Sequence, residues 1–259
     1  MLDRKKVIKE FENYVSDYDL KDVKIKLKVD HTYRVAKNCD VISESLGLNE
    51  WDKNLAWLSG MLHDIGRFEQ LRRFHTFMDA KSVNHAELSA DLLFKDGLIE
   101  RFCTKDYFED GILEKAIRVH NRLEVPEAYA EREKLFCDII RDADKIDIIR
   151  VNCETPRSEI FDLPEEEFHR TTISDEVFED VMKGGTVVRN HRKTAVDYIV
   201  GQIAFVNGLV FKGSFEELVR QGYFEELLNF KSELKETNER LEIIVARTRK
   251  LIETKIAGE

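Results

Sequence analysis

Apolar side chains recur three and four positions apart along nearly the whole sequence, and few residues interrupt them. Val35, Cys39, Ile42 and Leu46 step by four, three and four before Gly47, a natural helix stop. Leu55, Leu58 and Leu62 repeat the pattern, with Gly66 read as the residue that closes their helix. Asn84 and Glu87 resemble a capping box that leaves His85 in the first turn of another helix. Ile112, Ala116 and His120 share one helical face, and Leu135, Ile139 and Ala143 share another. The 259 residues include only three prolines and 12 glycines, whereas a many-stranded sheet needs frequent turn formers. The fold class is therefore all-α.

The stretch "CETPRSEIFDLPEEE" at 153–167 has two prolines and little periodicity, and it marks the expected boundary. It separates a core of residues 1–152 from a helical C-terminal extension, residues 153–259, expected to pack on that core. Leu234 and Leu241 lie seven apart, as do Ile244 and Leu251; this short seam reads as packing on the protein's own core rather than as a coiled coil. "GGTVVRNHRKT" at 184–194 reads as a loop, or as a flap carrying Arg189 and His191.

A net charge of −10 argues against a general nucleic-acid binder and admits a phosphorylated small molecule only where cations gather locally. Cys39, Cys103, Cys137 and Cys153 show no CxxC spacing and read as reduced thiols of a cytoplasmic protein. "MLDRKKVIKEFENY" has no apolar segment of a secretory signal. The longest uncharged stretch, Tyr198 to Phe211, is 14 residues and contains Gln202 and Asn207, too short and polar for a bilayer. No membrane or nucleic-acid partner is expected, and a homodimer is left open.

Chemistry concentrates in the histidines. His31 extends the stripe of Val35 by one turn, His63 ends a helix in "WLSGMLHDIGRFEQ", His85 begins one, and His120 follows Ala116. Asp144 stands between Ile140 and Ile148 at four-residue steps and so points inward, where a carboxylate is costly unless it is paired or bound to a cation. Asp138, Asp142 and Asp147 read as a solvated face. One buried imidazole is ordinarily a hydrogen-bonded core residue; four with acidic partners make independent core roles a poor account. Imidazole and carboxylate donors without thiolate suit divalent iron or manganese, with zinc, nickel and magnesium as alternatives.

In chain order, His31, His63–Asp64, His85, His120 and Asp144 in "DADKID" resemble the HD-domain metal-dependent phosphohydrolase superfamily, in its HDIG-type branch with six ligands and two metals. The likeness covers about residues 25–150, with "LHDIGR" close to the typical wording. It implies a helical bundle with ligands converging from facing helices. It also implies one metal held by His31, His63, Asp64 and Asp144, and a second held by the bridging Asp64 with His85 and His120. Adjacent helical residues diverge by about 100°, so His63 and Asp64 meet at one centre only where their helix loosens. The implied activity is hydrolysis of a phosphoester in a small molecule, a nucleotide foremost, by a metal-activated hydroxide.

Arg67, directly after "HDIG", and Lys145, after Asp144, join Asp64 as catalytic candidates for stabilising phosphoryl oxygens. Arg72, Arg73 and Lys81 are candidates for a pocket wall, and His75 has no place in the ligand pattern. "VHNRLEVPEAY" lacks the HHE…GYP signature of the cyclic-di-GMP branch. The same ligand types also occur in a di-iron oxygenase branch resembling myo-inositol oxygenase, which acts on a polyol or phosphonate, and the third reading is a non-catalytic regulatory module. The basic residue after "HDIG" favours phosphate.

Overall fold

The computed structural model describes residues 1–161 and 163–258, and among them every regular element is helical, with no strand. The chain divides into two compact units, Met1–Asp144 and Lys145–Glu259.

The first unit contains α1 (Arg4–Val15), α2 (Val23–Ser45), α3 (Glu50–Leu62), α4 (Ile65–Phe74), α5 (His85–Ala90), α6 (Ile99–Phe102), α7 (Ile112–Val119) and most of α8 (Glu131–Glu154). Gly47 ends α2 in the left-handed conformation, φ 64°, as expected of a stop. Helices α2 and α3 lie close together because Gly60 has no side chain; a Cβ there would stand 2.6 Å from Ala36 Cα. Asn84 caps α5 through Ala86 N at 2.9 Å and Glu87 N at 3.3 Å. The other half of the anticipated box is not used, because the Glu87 carboxylate pairs with Arg118 and with Arg122 at 3.0 Å.

Gly66 does not close a helix. It lies inside α4, where a Cβ would stand 2.6 Å from Ser89 N and 2.9 Å from His85 O. Its lack of a side chain lets α4 and α5 approach, which an apolar pattern read along one helix cannot reveal.

The division into units falls within α8, between residues 144 and 145. Helix α8 also corrects the solvated face: Asp142 is 0% and Asp147 1% exposed. Two buried stripes explain this, one through Phe136, Ile140, Ala143 and Asp147, the other through Ile139, Asp142, Ile146 and Ile149. Asp138 is half-buried and pairs with Arg141 at 2.9 Å.

The second unit continues with α9 (Arg157–Phe161), α10 (Glu165–Arg170), α11 (Asp175–Met182), α12 (Ala195–Ile203), α13 (Lys212–Gln221), α14 (Tyr223–Leu228) and α15 (Lys235–Ala257). Helices α9 and α10 fall largely within 153–167, where each of the two prolines stands just before a short helix. In α15 the buried stripe runs through Thr237, Leu241, Ile244, Thr248 and Ile252, taking two residues of the anticipated seam and leaving Leu234 and Leu251 half-buried. Segment 184–194 is tied to α11: Asp180 Oδ2 accepts from Val188 N at 3.0 Å and from His191 Nδ1 at 2.7 Å. No described helix is long and apolar enough to cross a membrane.

Candidate metal centre

Five helices of the first unit deliver the six expected ligands to one place. His31 comes from α2, His85 opens α5, His120 follows α7 as its C-cap, and Asp144 projects from α8. His63 is the C-cap of α3 and still helical, at φ −56° and ψ −40°. Asp64 leaves the helix at φ −104° and ψ 14°, and α4 starts at the next residue. That one-residue break allows neighbouring side chains to meet, with His63 Nε2 3.6 Å from Asp64 Oδ2.

The Asp64 carboxylate divides the cluster. Its Oδ2 lies 3.5 Å from His31 Nε2 and 3.6 Å from His63 Nε2. Its Oδ1 lies 3.6 Å from His85 Nε2 and 3.8 Å from His120 Nε2. Asp144 Oδ1 completes the first side, 3.2 Å from His31 Nε2 and 3.8 Å from His63 Nε2. Three overlapping sets, His31–His63–Asp64, His63–His120–Asp144 and Asp64–His85–His120, have ligand atoms within 4.8 Å of one another.

Hydrogen bonds fix which nitrogen faces inward. His63 Nδ1 donates to Gly60 O at 2.8 Å, His120 Nδ1 to Ile117 O at 2.7 Å, and His85 Nδ1 to Asp79 Oδ2 at 2.7 Å. A neutral ring protonated at Nδ1 presents its Nε2 lone pair to the cluster. Yet His31 Nε2 and His63 Nε2 are 3.3 Å apart, and His85 Nε2 and His120 Nε2 are 3.1 Å apart. Lone pairs held that close need a proton or a metal cation between them. Burial disfavours the proton: it lowers the His63 pKa, and it pulls His85 and His120 down to about 4, with Arg67 adding to the effect at His85 and His63 at His120.

Burial alone would raise the Asp64 carboxyl, but Lys28, His63, Arg67 and His85 outweigh it and hold the group well below the usual carboxylate range. Burial is likewise overcome at Asp144 by its hydrogen bond and charge interaction with His31. Both carboxylates are ionised. Asp64 Oδ1 is buried and accepts no hydrogen bond among the described residues. An orphaned anionic oxygen opposite two imidazole lone pairs fits a divalent cation.

Two cations flank Asp64. Lys28 Nζ lies 2.6 Å from Oδ2, and Arg67 Nε lies 3.6 Å from Oδ1. The Arg67 guanidinium also donates to Gln70 Oε1 at 2.8 Å, Phe77 O at 2.6 Å and Asp79 Oδ1 at 3.1 Å, and contacts His85 Nε2 at 3.3 Å. Lys145 Nζ donates to Gly208 O at 2.8 Å. Arg72 and Arg73 pair with Glu69, and Arg72 lies over Tyr18 at 5.0 Å, whereas the ring beside Lys28 and Arg67 is that of Phe77. Lys81 and His75 are exposed, and His75 adopts the left-handed conformation at φ 56°.

Sequence reasoning missed Lys28 and Asp79. Lys28 was within reach, because it sits three residues before His31 on the same helical face. Asp79 lies in a non-repetitive connection, where no period assigns a direction.

Residues 29–149 match the HD domain family model. Over that segment the chain is similar to HD domains, a superfamily of metal-dependent phosphohydrolase type. All six clustered residues fall within the match, and Lys28 immediately precedes it. No curated protein and no solved structure matches the chain.

Proposed function

We propose that the HD domain hydrolyses a phosphoester of a small molecule of the nucleotide class, using two divalent metal ions, iron or manganese foremost. The supporting observation is the division of Asp64: each carboxylate oxygen faces its own pair of imidazoles, and a cation flanks each oxygen. His31, His63, Asp64 and Asp144 would hold one ion, and Asp64, His85 and His120 the other. Bound there, such ions lower the pKa of water and polarise a phosphoryl oxygen.

The protein's own groups supply the rest. Asp79, the Gly60 carbonyl and the Ile117 carbonyl keep three imidazoles oriented with Nε2 inward. Arg67 is held by Gln70, Asp79 and the Phe77 carbonyl, a fixed mount for a donor that stabilises charge on transferring oxygens. Its buried Nε has no hydrogen-bond acceptor among the described residues. Lys145, the other cationic candidate, donates to the Gly208 carbonyl at 2.8 Å.

Metal-loaded protein offered a panel of nucleotides and simpler phosphoesters is expected to release phosphate or a nucleoside phosphate. Failure on every phosphoester, with oxygen uptake by the reduced iron-loaded protein in the presence of a polyol, would replace this reading with the oxygenase. Metal analysis tests the two-ion arrangement separately. Asp64→Ala should lose both ions and His85→Ala mainly one, while a wild-type content near one ion per chain would sink it.

A further inference from the structure

Lys28 is the cation in this site for which neither the ligand pattern nor the motif wording provides a role. Its side chain is 15% exposed, and its Nζ donates to Asp64 Oδ2 at 2.6 Å. An ammonium carries three N–H bonds, and among the described residues Asp64 is the one hydrogen-bond acceptor that Lys28 meets. The other two donors are uncommitted at the edge of a buried anionic cluster.

Arg67 mirrors this arrangement across the same carboxylate. Its guanidinium contacts His85 Nε2 at 3.3 Å and faces Asp64 Oδ1 through Nε at 3.6 Å. Both cations approach one aromatic ring: Lys28 Nζ is 6.0 Å and the Arg67 guanidinium carbon 5.7 Å from the Phe77 centroid. Lys28 and Arg67 therefore bracket Asp64, and each rests on an atom that also faces the ligand nitrogens. A cation on a metal-facing atom neutralises it while no ion is there. Once an ion takes that charge, the cation is free to meet an incoming anion.

We propose that Lys28 is a substrate-binding residue which, with Arg67, grips the phosphoryl group and fits the site to a phosphomonoester. This rests on the phosphohydrolase reading above. The charge count supports it. Asp64, Asp144 and Asp79 carry three negative charges near Lys28 and Arg67, and two divalent ions bring that local sum to positive three. With an attacking hydroxide it becomes positive two, which a monoester dianion neutralises and a diester monoanion does not. Oxygen supply points the same way. A monoester offers three non-bridging oxygens to the ions and cations, and a diester only two.

The test measures binding to metal-loaded protein by calorimetry, with inorganic phosphate, methyl phosphate and dimethyl phosphate as probes. Metal content is determined on the same samples. Wild type is expected to bind methyl phosphate at least tenfold more tightly than dimethyl phosphate. Lys28→Met should weaken phosphate and methyl phosphate about 10–100-fold, the usual effect of losing a charge-assisted hydrogen bond, with metal content unchanged. Lys28→Gln serves if the methionine variant does not fold, and Lys28→Arg should restore part of the affinity. Unchanged phosphate affinity in the variants overturns the role of Lys28, as does a loss that only follows lost metal. Equal binding of the two methyl esters overturns the monoester preference. If the metal-loaded wild type binds none of the three probes, the phosphohydrolase reading itself fails.

Discussion

His85 Nδ1 donates to Asp79 Oδ2 at 2.7 Å, so a carboxylate in a connecting segment sets the ring of a histidine at the start of a helix. The same Asp79 uses its other oxygen for Arg67 at 3.1 Å and Gln70 at 3.0 Å. Orientation of the imidazole and of the guanidinium is thus held by one group, whose pKa is lowered by His85 and Arg67 against the effect of burial.

Asp79→Ala should therefore weaken the ion held by His85 and His120 about 10–100-fold, the range typical of losing a ligand's hydrogen-bonded partner. Titration against a chelator of known affinity measures this. The ion on the His31 and His63 side should be unaffected. Equal weakening of both would show that Asp79 acts on the whole cluster and not through His85.

Much of this centre was legible because helical phase fixes direction. His31, His120 and Asp144 each continue an apolar stripe, and such a stripe must face the core whatever the tertiary fold. His63 and Asp64 were legible as a pair, but the cause of their convergence was misplaced: the break is at Asp64, not at a glycine two residues later. Gly66 looks like punctuation in one dimension, and only the neighbouring helix reveals that it is a point of close approach. Asp142 and Asp147 were misread for a similar reason, since one periodic stripe suggests a wet opposite face and α8 is buried along two.

Gly66→Ala is expected to destabilise the protein by about 1–3 kcal/mol or more, because the added methyl meets backbone and not a flexible side-chain end. The methyl would press on Ser89 N at 2.6 Å and on the carbonyl of His85 itself, at 2.9 Å. Affinity at the His85 side should fall along with the melting temperature. Gly47→Ala is the control: it strains a left-handed residue with nothing within 4 Å, so it should lower the melting temperature and leave metal binding alone. Identical metal affinity in the Gly66→Ala protein would disprove the coupling.

The metal-free protein should lose stability as pH falls. His85 and His120 titrate at about 4 in the folded chain against an ordinary value of 6.5. Between those values the unfolded chain binds more protons, so the folded state is penalised progressively as pH drops through about 6.5 toward 4 and is unaffected above. Each tenfold loss of proton affinity on folding is worth about 1.4 kcal/mol, so each histidine contributes on the order of 3 kcal/mol at full effect. The lowered carboxyls of Asp64 and Asp144 extend the loss to still lower pH with the same sign. Urea unfolding across this range should show the midpoint falling on the acid side; a midpoint that stays constant would contradict the buried neutral imidazoles.

Arg67 provides the last prediction, because its contacts separate a catalytic role from a structural one. The guanidinium bonds to Asp79 Oδ1, whereas His85 uses Oδ2, so removing the arginine leaves the His85–Asp79 bond in place. Arg67→Ala should accordingly retain its metal while turnover of a phosphoester falls about 10²–10³-fold, as when one transition-state donor is lost. Arg67→Lys should recover only part of the rate. An ammonium can replace the charge but not the fork, in which Nη1 reaches Gln70, Phe77 and Asp79 while Nη2 meets His85 at 3.3 Å. Parallel measurement of metal content and turnover decides the matter. Turnover that survives the substitution removes Arg67 from catalysis, and turnover that falls only in proportion to lost metal assigns it to holding the site.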